Sequence, residues 1–374
     1  MADKKFLILY ASAGHGHEKA AKAVAEACRQ RGFSRVDCVD MLKHSSFGFG
    51  ERYRGLYLFL IRTMPWLWGF AYYAADVPLI YWVLRPLRRL NNHFFVPGVE
   101  KLILESSADI VISAHFMGCE VAATLKKQKR IQAKLITVVT DYLAHAFWVE
   151  SETDTYCVAS DDTARDLERR GVSADRVVVT GIPIESKFSS APARESVRDS
   201  MGLDKGLFTL LLTSGGAGGA LLESLVDSLA IQEPPFQLLV VCGTNEKMLQ
   251  RLRVKHRERL NIHLYGFVDN IHELMSAADL VVGKGGGLTI TESLAMARPM
   301  VLVGAVPGQE SRNVRVMVKK GAASRADSFL QVKAQISKYR DDGPFYAKTL
   351  AVIESTRRPR AAEGVLDAAL GVRA

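Results

Sequence analysis

Short apolar runs rich in β-branched residues recur along the chain, and helical patterns separate them. The runs form two successive series, one before and one after residue 200. The first series comprises residues 5–11, 110–114, 135–140, 156–159 and 177–180, and the second comprises 208–213, 237–242, 262–265, 280–282 and 300–303. Such runs are typical of strands buried on both faces of a parallel sheet. The two series therefore predict an α/β fold of two Rossmann-like domains that face each other across a cleft.

The length of 374 residues agrees with two domains, and the 48% of hydrophobic residues is enough for large cores. We expect a first domain over 1–185, a second over 186–343 and a helical tail over 344–374 that packs back on the first domain. The polar stretch 185–205 is the best candidate for an interdomain linker. The amino terminus has a basic start and only a short apolar run, which indicates a first strand rather than a signal peptide and favours a cytoplasmic location.

The chain carries a net charge of +9, and one segment is strongly unbalanced. Residues 52–95 contain 12 of the 31 aromatic residues and six arginines, against the single acid Asp76. Three interpretations compete: a transmembrane helix, a buried helical hairpin with a basic edge, and a segment at the membrane interface. Pro65, Asp76 and Pro78 interrupt every window long enough to span a bilayer.

The interfacial interpretation of residues 52–95 is favoured, because tryptophan and tyrosine prefer the headgroup layer and arginines attract anionic lipid. Single-stranded nucleic acid also binds arginines and aromatic rings, but the many leucines here disfavour a nucleic-acid partner. The predicted membrane- and acceptor-binding residues are Trp66, Trp68, Trp82, Arg85, Arg88 and Arg89.

Two glycine-rich loops, residues 213–219 and 283–289, each follow a predicted strand and precede a helix. Glycines allow close backbone approach, and the helix amino terminus offers N–H groups to a diphosphate. Neither loop has the P-loop pattern or the dinucleotide fingerprint, and either could be merely a tight turn. Glu292 lies one turn beyond Thr289, where a carboxylate could accept both hydroxyls of a ribose or simply complement the helix dipole.

The second glycine-rich loop continues as GKGGGLTITESLA (283–295) and is followed by PMVLVGAVPGQESRN (299–313). This combination resembles the donor half of the monogalactosyldiacylglycerol-synthase-type glycosyltransferases, which include the bacterial processive diacylglycerol β-glucosyltransferases. The motifs ASAGHGH (11–17), TDYLAHAFWV (140–149) and TGIPI (180–184) resemble the other half. The resemblance covers residues 5 to about 325 and implies the GT-B fold, with acceptor and membrane on the first domain and UDP-sugar on the second.

The resemblance also implies roles for individual residues. Glu292 would bind the ribose, Gln309 and Glu310 the sugar hydroxyls, and the backbone at Phe267 and Val268 the uracil. The diphosphate would be held by Gly286, Gly287, Leu288 and Thr289, with Gly216 approaching the same phosphates. Gly285 replaces a proline that many members have, which loosens the loop without removing its amides.

The general base is open between several side chains. His17 lies at the acceptor face by resemblance, and an imidazole suits the task near neutral pH. Asp141 is its rival or its orienting partner, and His115 and His145 also follow strands. Plant members have an aspartate where this chain has Ser12, which cannot act as a base.

The resemblance implies an inverting transferase that moves a hexose from UDP-glucose or UDP-galactose to diacylglycerol, as a peripheral protein on the cytoplasmic side of an anionic membrane. No metal-ligand spacing and no cofactor motif is present, so departure of UDP would rely on helix dipoles, amides and Lys284. Two alternatives stay open: a polyprenyl-linked acceptor, and a UDP-sugar sensor at the membrane without turnover.

Overall fold

A computed structural model describes residues 4–12, 14–46, 48–213, 219–233 and 235–372. The chain forms two compact units. The first unit contains residues 1–186, 306–312 and 358–374, and the second contains 187–305 and 313–357. Within the described residues, each unit has a parallel sheet of six strands with helices on both faces, so the predicted pair of Rossmann-like domains is confirmed.

The first sheet has the strand order β2-β1-β3-β4-β5-β6. Its strands are β1 (Phe6–Tyr10), β2 (Val36–Asp40), β3 (Ile110–Ser113), β4 (Lys134–Val138), β5 (Thr155–Val158) and β6 (Val177–Val179). Its helices are α1 (His15–Gln30), α2 (Phe49–Thr63), α3 (Pro65–Ala75), α4 (Pro78–Phe95), α5 (Pro97–Ser106), α6 (Phe116–Lys127), α7 (Asp161–Arg169) and, from the end of the chain, α16 (Ala361–Leu370). α1 and α16 cover one face of this sheet, and α5 and α6 cover the other.

The second sheet has the order β12-β11-β10-β7-β8-β9. Its strands are β7 (Thr209–Thr213), β8 (Gln237–Val241), β9 (Ile262–Tyr265), β10 (Leu280–Gly283), β11 (Met300–Val303) and β12 (Ala323–Ala326). Its helices are α8 (Arg194–Ser200), α9 (Gly219–Leu229), α10 (Glu246–Lys255), α11 (Ile271–Ala277), α12 (Gly287–Ala295), α14 (Phe329–Asp341) and α15 (Gly343–Thr356). α13 (Gln309–Lys320) begins in the first unit and continues in the second. α9, α10 and α14 cover one face with leucines, valines and Tyr339.

The division of the chain differs from the expected bounds in two places: residues 306–312 belong to the first unit, and residues 344–357 of the expected tail belong to the second. Most of the expected linker belongs to the second unit, where the fully buried Arg198 of α8 binds the Asp279 carboxylate at 2.9 Å. α15 also stays with the second unit, because Tyr346 donates to the Asp279 carbonyl. Only residues 358–374 of the expected tail join the first unit, where Lys134 donates to the carbonyls of Ala368 and Ala369 in α16.

Candidate active site

Each sheet has one position where the chain reverses its direction of travel across the sheet. In the second unit this position lies between β7 and β10, because β7 leads on to β8 on one side and β10 leads to β11 on the other. In the first unit it lies between β1 and β3, by the same reasoning. Ligands of open α/β sheets bind at the carboxyl ends of strands at such switch points. The glycine-rich loops follow β7 and β10, and the His17 loop follows β1.

The loop after β10 is built for close backbone approach. A Cβ atom on Gly283 would lie 2.6 Å from the Thr213 hydroxyl oxygen of the neighbouring strand, so only glycine fits there. Gly286 is the extended N-cap residue of α12, and no side chain caps the helix. The first N–H groups of a helix have no partner within it. Gly287, Leu288 and Thr289 therefore present three such groups at the switch point, as an anion-binding site requires.

Glu292 lies on α12 one turn beyond Thr289, and its side chain is buried, with 6% exposed. Lys284, also on this loop, is partly buried. Val268 is partly buried and follows β9, so its backbone lies at the same carboxyl edge of the sheet as the loop after β10. Gly216 lies outside the described residues.

His17 lies in the first turn of α1, directly after β1, and it contacts the neighbouring strand ends. Its Nδ1 atom lies 2.7 Å from the Ala114 carbonyl oxygen and 3.0 Å from the Thr140 hydroxyl. A carbonyl can only accept, so Nδ1 carries the proton and Nε2 keeps its lone pair. Burial lowers the pKa of His17, and the bond to Ala114 opposes this effect. A neutral ring with a free Nε2 lone pair has the form that a general base needs.

His115 and His145 make hydrogen bonds to the backbone of the first unit. Each uses Nδ1 to accept a backbone N–H at the start of a helical turn, from Met117 and Phe147 respectively, at 3.2 Å. Their neutral rings therefore carry the proton on Nε2, and that of His145 donates to the Tyr72 carbonyl at 2.9 Å. Burial lowers both pKa values, to about 4 for His145. The His115 ring also packs edge-on against His17, with 4.8 Å between centroids.

Asp141 follows directly after Thr140, at the carboxyl end of β4, and it is partly buried. Its charge raises the pKa values of Tyr57 and Tyr72, after the larger effect of their burial, so its carboxylate faces α2 and α3. Ser12 donates its backbone N–H to the buried Asp40 carboxylate at 3.2 Å. This contact fixes the start of the His17 loop.

Gln309 and Glu310 lie at the start of α13, in the part of it that belongs to the first unit. The Glu310 carboxylate accepts the Val306 N–H at 2.9 Å and ties the preceding loop to the helix. The pKa of Tyr57 is raised to about 12, mainly by burial and in addition by the negative charge of Glu310. Asp141 and Glu310 thus lie around the same tyrosine, although 169 positions separate them in the sequence.

The aromatic segment forms α2, α3 and α4, and many of its large apolar side chains are exposed. Trp66, Phe70 and Trp82 are 66%, 70% and 74% exposed. The same property holds for Leu56, Phe59, Tyr73, Val77, Leu79, Ile80, Val83, Leu87, Leu90 and Phe94. Trp68 is partly buried, with its ring edge-on to Tyr57. A continuous stretch of such side chains marks an interaction surface. Over the described part of the chain, none of the helices combines the length and apolar character needed to cross a bilayer.

The three arginines of α4 are used inside the first unit, which departs from the expectation that they face lipid. Arg85, Arg88 and Arg89 all bind the fully buried Glu150 carboxylate, at 2.9, 3.1 and 3.0 Å. Arg88 also lies 2.5 Å from the Glu120 carboxylate. Buried carboxylates need such partners, so the arginines hold α4 against α6 and the loop before β5. Composition alone shows an excess of arginine but not where its partners lie.

Sequence reasoning missed Thr140 and Asp76 as functional neighbours. Thr140 touches His17 across 123 positions, and Asp76 pairs with Arg312 across 236 positions. Asp76 was noted only as an interruption of the apolar segment. No spacing rule connects residues so far apart in the chain. Within the described ranges, no group of three or more histidine, cysteine or acidic side chains could hold a metal ion.

The chain is similar to known proteins in both sequence and fold. Residues 17–184 match the family model of monogalactosyldiacylglycerol (MGDG) synthase, and residues 209–343 match the glycosyltransferase family 28 C-terminal domain. A processive diacylglycerol β-glucosyltransferase of Bacillus cereus is 30% identical over 359 residues, covering 95% of this chain and 87% of the relative. The structure of MurG from Acinetobacter baumannii matches with a TM-score of 0.63 at 17% identity, over 98% of this chain and 99% of that one. The Anabaena protein Alr3699/HepE, solved with UDP and glucose, matches with a TM-score of 0.56 at 14% identity, over 99% and 100%.

Proposed function

The chain belongs to the family of the processive diacylglycerol β-glucosyltransferases, and we propose that it transfers a hexose from a UDP-sugar to diacylglycerol at a membrane surface. The observation that carries the proposal is the fixed orientation of the His17 ring. Its Nε2 lone pair lies at the switch point of the first sheet, and the first N–H groups of α12 lie at the switch point of the second sheet. The names of the Bacillus relatives favour glucose as the hexose and repeated transfer as the mode.

The donor half of the reaction is assigned to the second unit. The N–H groups of Gly287, Leu288 and Thr289 hold the diphosphate, and the buried Glu292 accepts the ribose hydroxyls. The Val268 backbone meets the uracil. When the bond between the sugar and the β-phosphate breaks, negative charge grows on UDP, and these N–H groups together with Lys284 stabilise it.

The acceptor half is assigned to the first unit. Nε2 of His17 takes the proton of the diacylglycerol hydroxyl, whose oxygen attacks the anomeric carbon from the side opposite UDP. One displacement at an α-linked donor inverts the centre and gives a β-glycoside. Asp141 directly follows Thr140, whose hydroxyl lies 3.0 Å from Nδ1 of His17. It is assigned as the orienting partner of His17, acting through Thr140.

The exposed apolar helices α2, α3 and α4 are assigned to the membrane. Trp66, Phe70 and Trp82 would enter the headgroup layer, where aromatic rings are favoured. Diacylglycerol lies in that layer, so a peripheral enzyme on the cytoplasmic leaflet would find its acceptor there. The paired arginines of α4 keep the helix attached while its outer face is immersed.

Transfer is tested with purified protein on anionic vesicles that contain diacylglycerol, with UDP-glucose and UDP-galactose supplied separately and a chelator present. We expect label in the lipid phase from UDP-glucose, and β-configuration of the product by NMR. Vesicles with a polyprenyl-linked sugar instead of diacylglycerol are the control. Label in that control alone would assign the chain to the polyprenyl acceptor, and UDP binding without any transfer would assign it a sensor role.

A further inference from the structure

The segment Val306–Arg312 leaves the second unit after β11 and packs on helix α3 of the first unit. A Cβ atom on Gly69 of α3 would lie 2.5 Å from Pro307 Cβ, so glycine is required for this approach. Gly308 has a φ of +104°, and a Cβ atom there would lie 3.1 Å from the Tyr72 ring. Two glycines, one on each side, therefore allow the segment to lie directly on the helix.

Asp76, at the end of α3, holds the far end of the same segment. Its carboxylate binds Arg312 at 2.5 Å and Arg170 at 2.7 and 2.9 Å, and it accepts the Ala146 N–H at 2.8 Å. The Arg312 guanidinium also lies over the rings of Tyr72 and Tyr73, at 5.1 and 5.2 Å from their centroids. The Asp76 side chain is 9% exposed, so these interactions are weakly screened.

Gln309 and Glu310 lie between these two anchors. The loop that carries them is closed on itself, because Glu310 accepts the Val306 N–H and Ser311 donates to the Val306 carbonyl at 3.0 Å. A closed loop that is fixed at both ends by α3 moves as one body with that helix. The orientation of Gln309 and Glu310 thus depends on both anchors, one of which is the pair of Asp76 and Arg312.

We propose that Asp76 is a positioning residue for recognition of the donor sugar, which it performs through Arg312 and the segment Val306–Arg312. The inference rests on the proposed function in one respect, the contact of Gln309 and Glu310 with the sugar. Loss of the Asp76 charge removes the carboxylate that Arg312 and Arg170 share, while Arg170 keeps Asp166 at 3.4 Å. Like charges repel, so Arg312 would move away and the loop would lose its fixed position.

The test compares the affinities of wild type and Asp76→Asn for UDP and for UDP-glucose by calorimetry, without lipid. We expect the affinity for UDP to stay unchanged within error. The affinity for UDP-glucose should fall about tenfold, as expected when one or two hydrogen bonds to the sugar are lost. In the transfer assay the same variant should show a raised KM for UDP-glucose.

The matched control is Asp154→Asn in the same unit. Like Asp76, Asp154 is paired with a basic side chain, here Lys126, and accepts a backbone N–H, here that of Leu135. It is remote in sequence from the segment, and we expect both affinities to match wild type. Arg312→Lys keeps the charge but removes the planar guanidinium, which binds Asp76 through one nitrogen and the Ala144 carbonyl through another, and it should repeat the selective loss. It decides the question if Asp76→Asn fails to fold.

The inference would be overturned if wild type and Arg312→Lys bound UDP-glucose with equal affinity. It would also be overturned if the variants lost the same fraction of their affinity for UDP and for UDP-glucose. The inference would also be overturned if the wild-type protein bound UDP-glucose no more tightly than UDP. The calorimetry uses no acceptor. Failure of transfer to diacylglycerol therefore contradicts the proposed function, whereas an unchanged affinity ratio in the variants contradicts only the role of Asp76.

Discussion

Replacement of Leu79 by serine should weaken membrane binding by an amount that follows from its exposure. Leu79 is the second residue of α4, and 74% of it is exposed. Burial of a whole leucine side chain stabilises by about 1.5–3 kcal/mol, so the exposed part is worth about 1–2 kcal/mol on entering lipid. This corresponds to about a 5- to 30-fold loss of vesicle affinity. Serine adds little helix strain at an exposed first turn.

The second unit offers a closely matched control. Leu330 is also the second residue of a helix, α14, and it is 75% exposed. Cosedimentation with sucrose-loaded vesicles of phosphatidylglycerol and diacylglycerol measures both variants at several lipid concentrations. We expect Leu79→Ser to bind less and Leu330→Ser to bind like wild type. Equal binding of both variants, whether reduced or unchanged, would refute a membrane-facing α4.

Three further outcomes test the site and its electrostatics. His17→Asn keeps a donor near the Ala114 carbonyl but removes the base, so kcat should fall about 10²- to 10⁴-fold at unchanged UDP affinity. In the wild-type enzyme, the lowered pKa of His17 should place the acidic decline of activity below pH 6.5. A decline of activity that begins above pH 7 would contradict the assignment of His17 as the base. Glu292→Ala should weaken UDP binding measurably by calorimetry, and unchanged binding would remove the residue from the ribose site. His145 has a pKa of about 4 in the folded chain and 6.5 in its ordinary state, so its neutral form stabilises the fold above pH 6.5, and up to about 3 kcal/mol is lost as the pH falls to 4. His145→Asn, which removes that proton uptake, should therefore show a smaller fall of the unfolding midpoint between pH 7 and pH 4.5.

The central strands of both sheets were predictable, because nearly all of their side chains are buried and their runs are mostly apolar. The edge strands β2 and β12 escaped prediction. β2 reads VDCVD and β12 reads ASRA, and both have exposed or half-exposed positions. An edge strand needs only one apolar face, so its pattern is short and mixed with charge. Local sequence does not distinguish such a pattern from a loop.

The strand-to-helix turn after β10 was also predictable, since its glycines act on their own backbone and α12 follows directly in the chain. The acceptor side depends on contacts that no local pattern encodes. His17 is set by Ala114 and Thr140, which lie on two other strands. The arginines of α4 were assigned to lipid because the carboxylates that bind them, Glu120 and Glu150, lie in other elements. Charge counts within one segment cannot show partners outside it.

The chain passes from one unit to the other four times, after residues 186, 305, 312 and 357. A chimaera that borrows donor specificity from a relative cannot therefore be made by one exchange of a carboxyl-terminal half. It needs two inserts, 187–305 and 313–357, spliced around a host heptapeptide that stays with its own α3. Parental and borrowed versions of that heptapeptide would then report separately on nucleotide preference and on sugar preference.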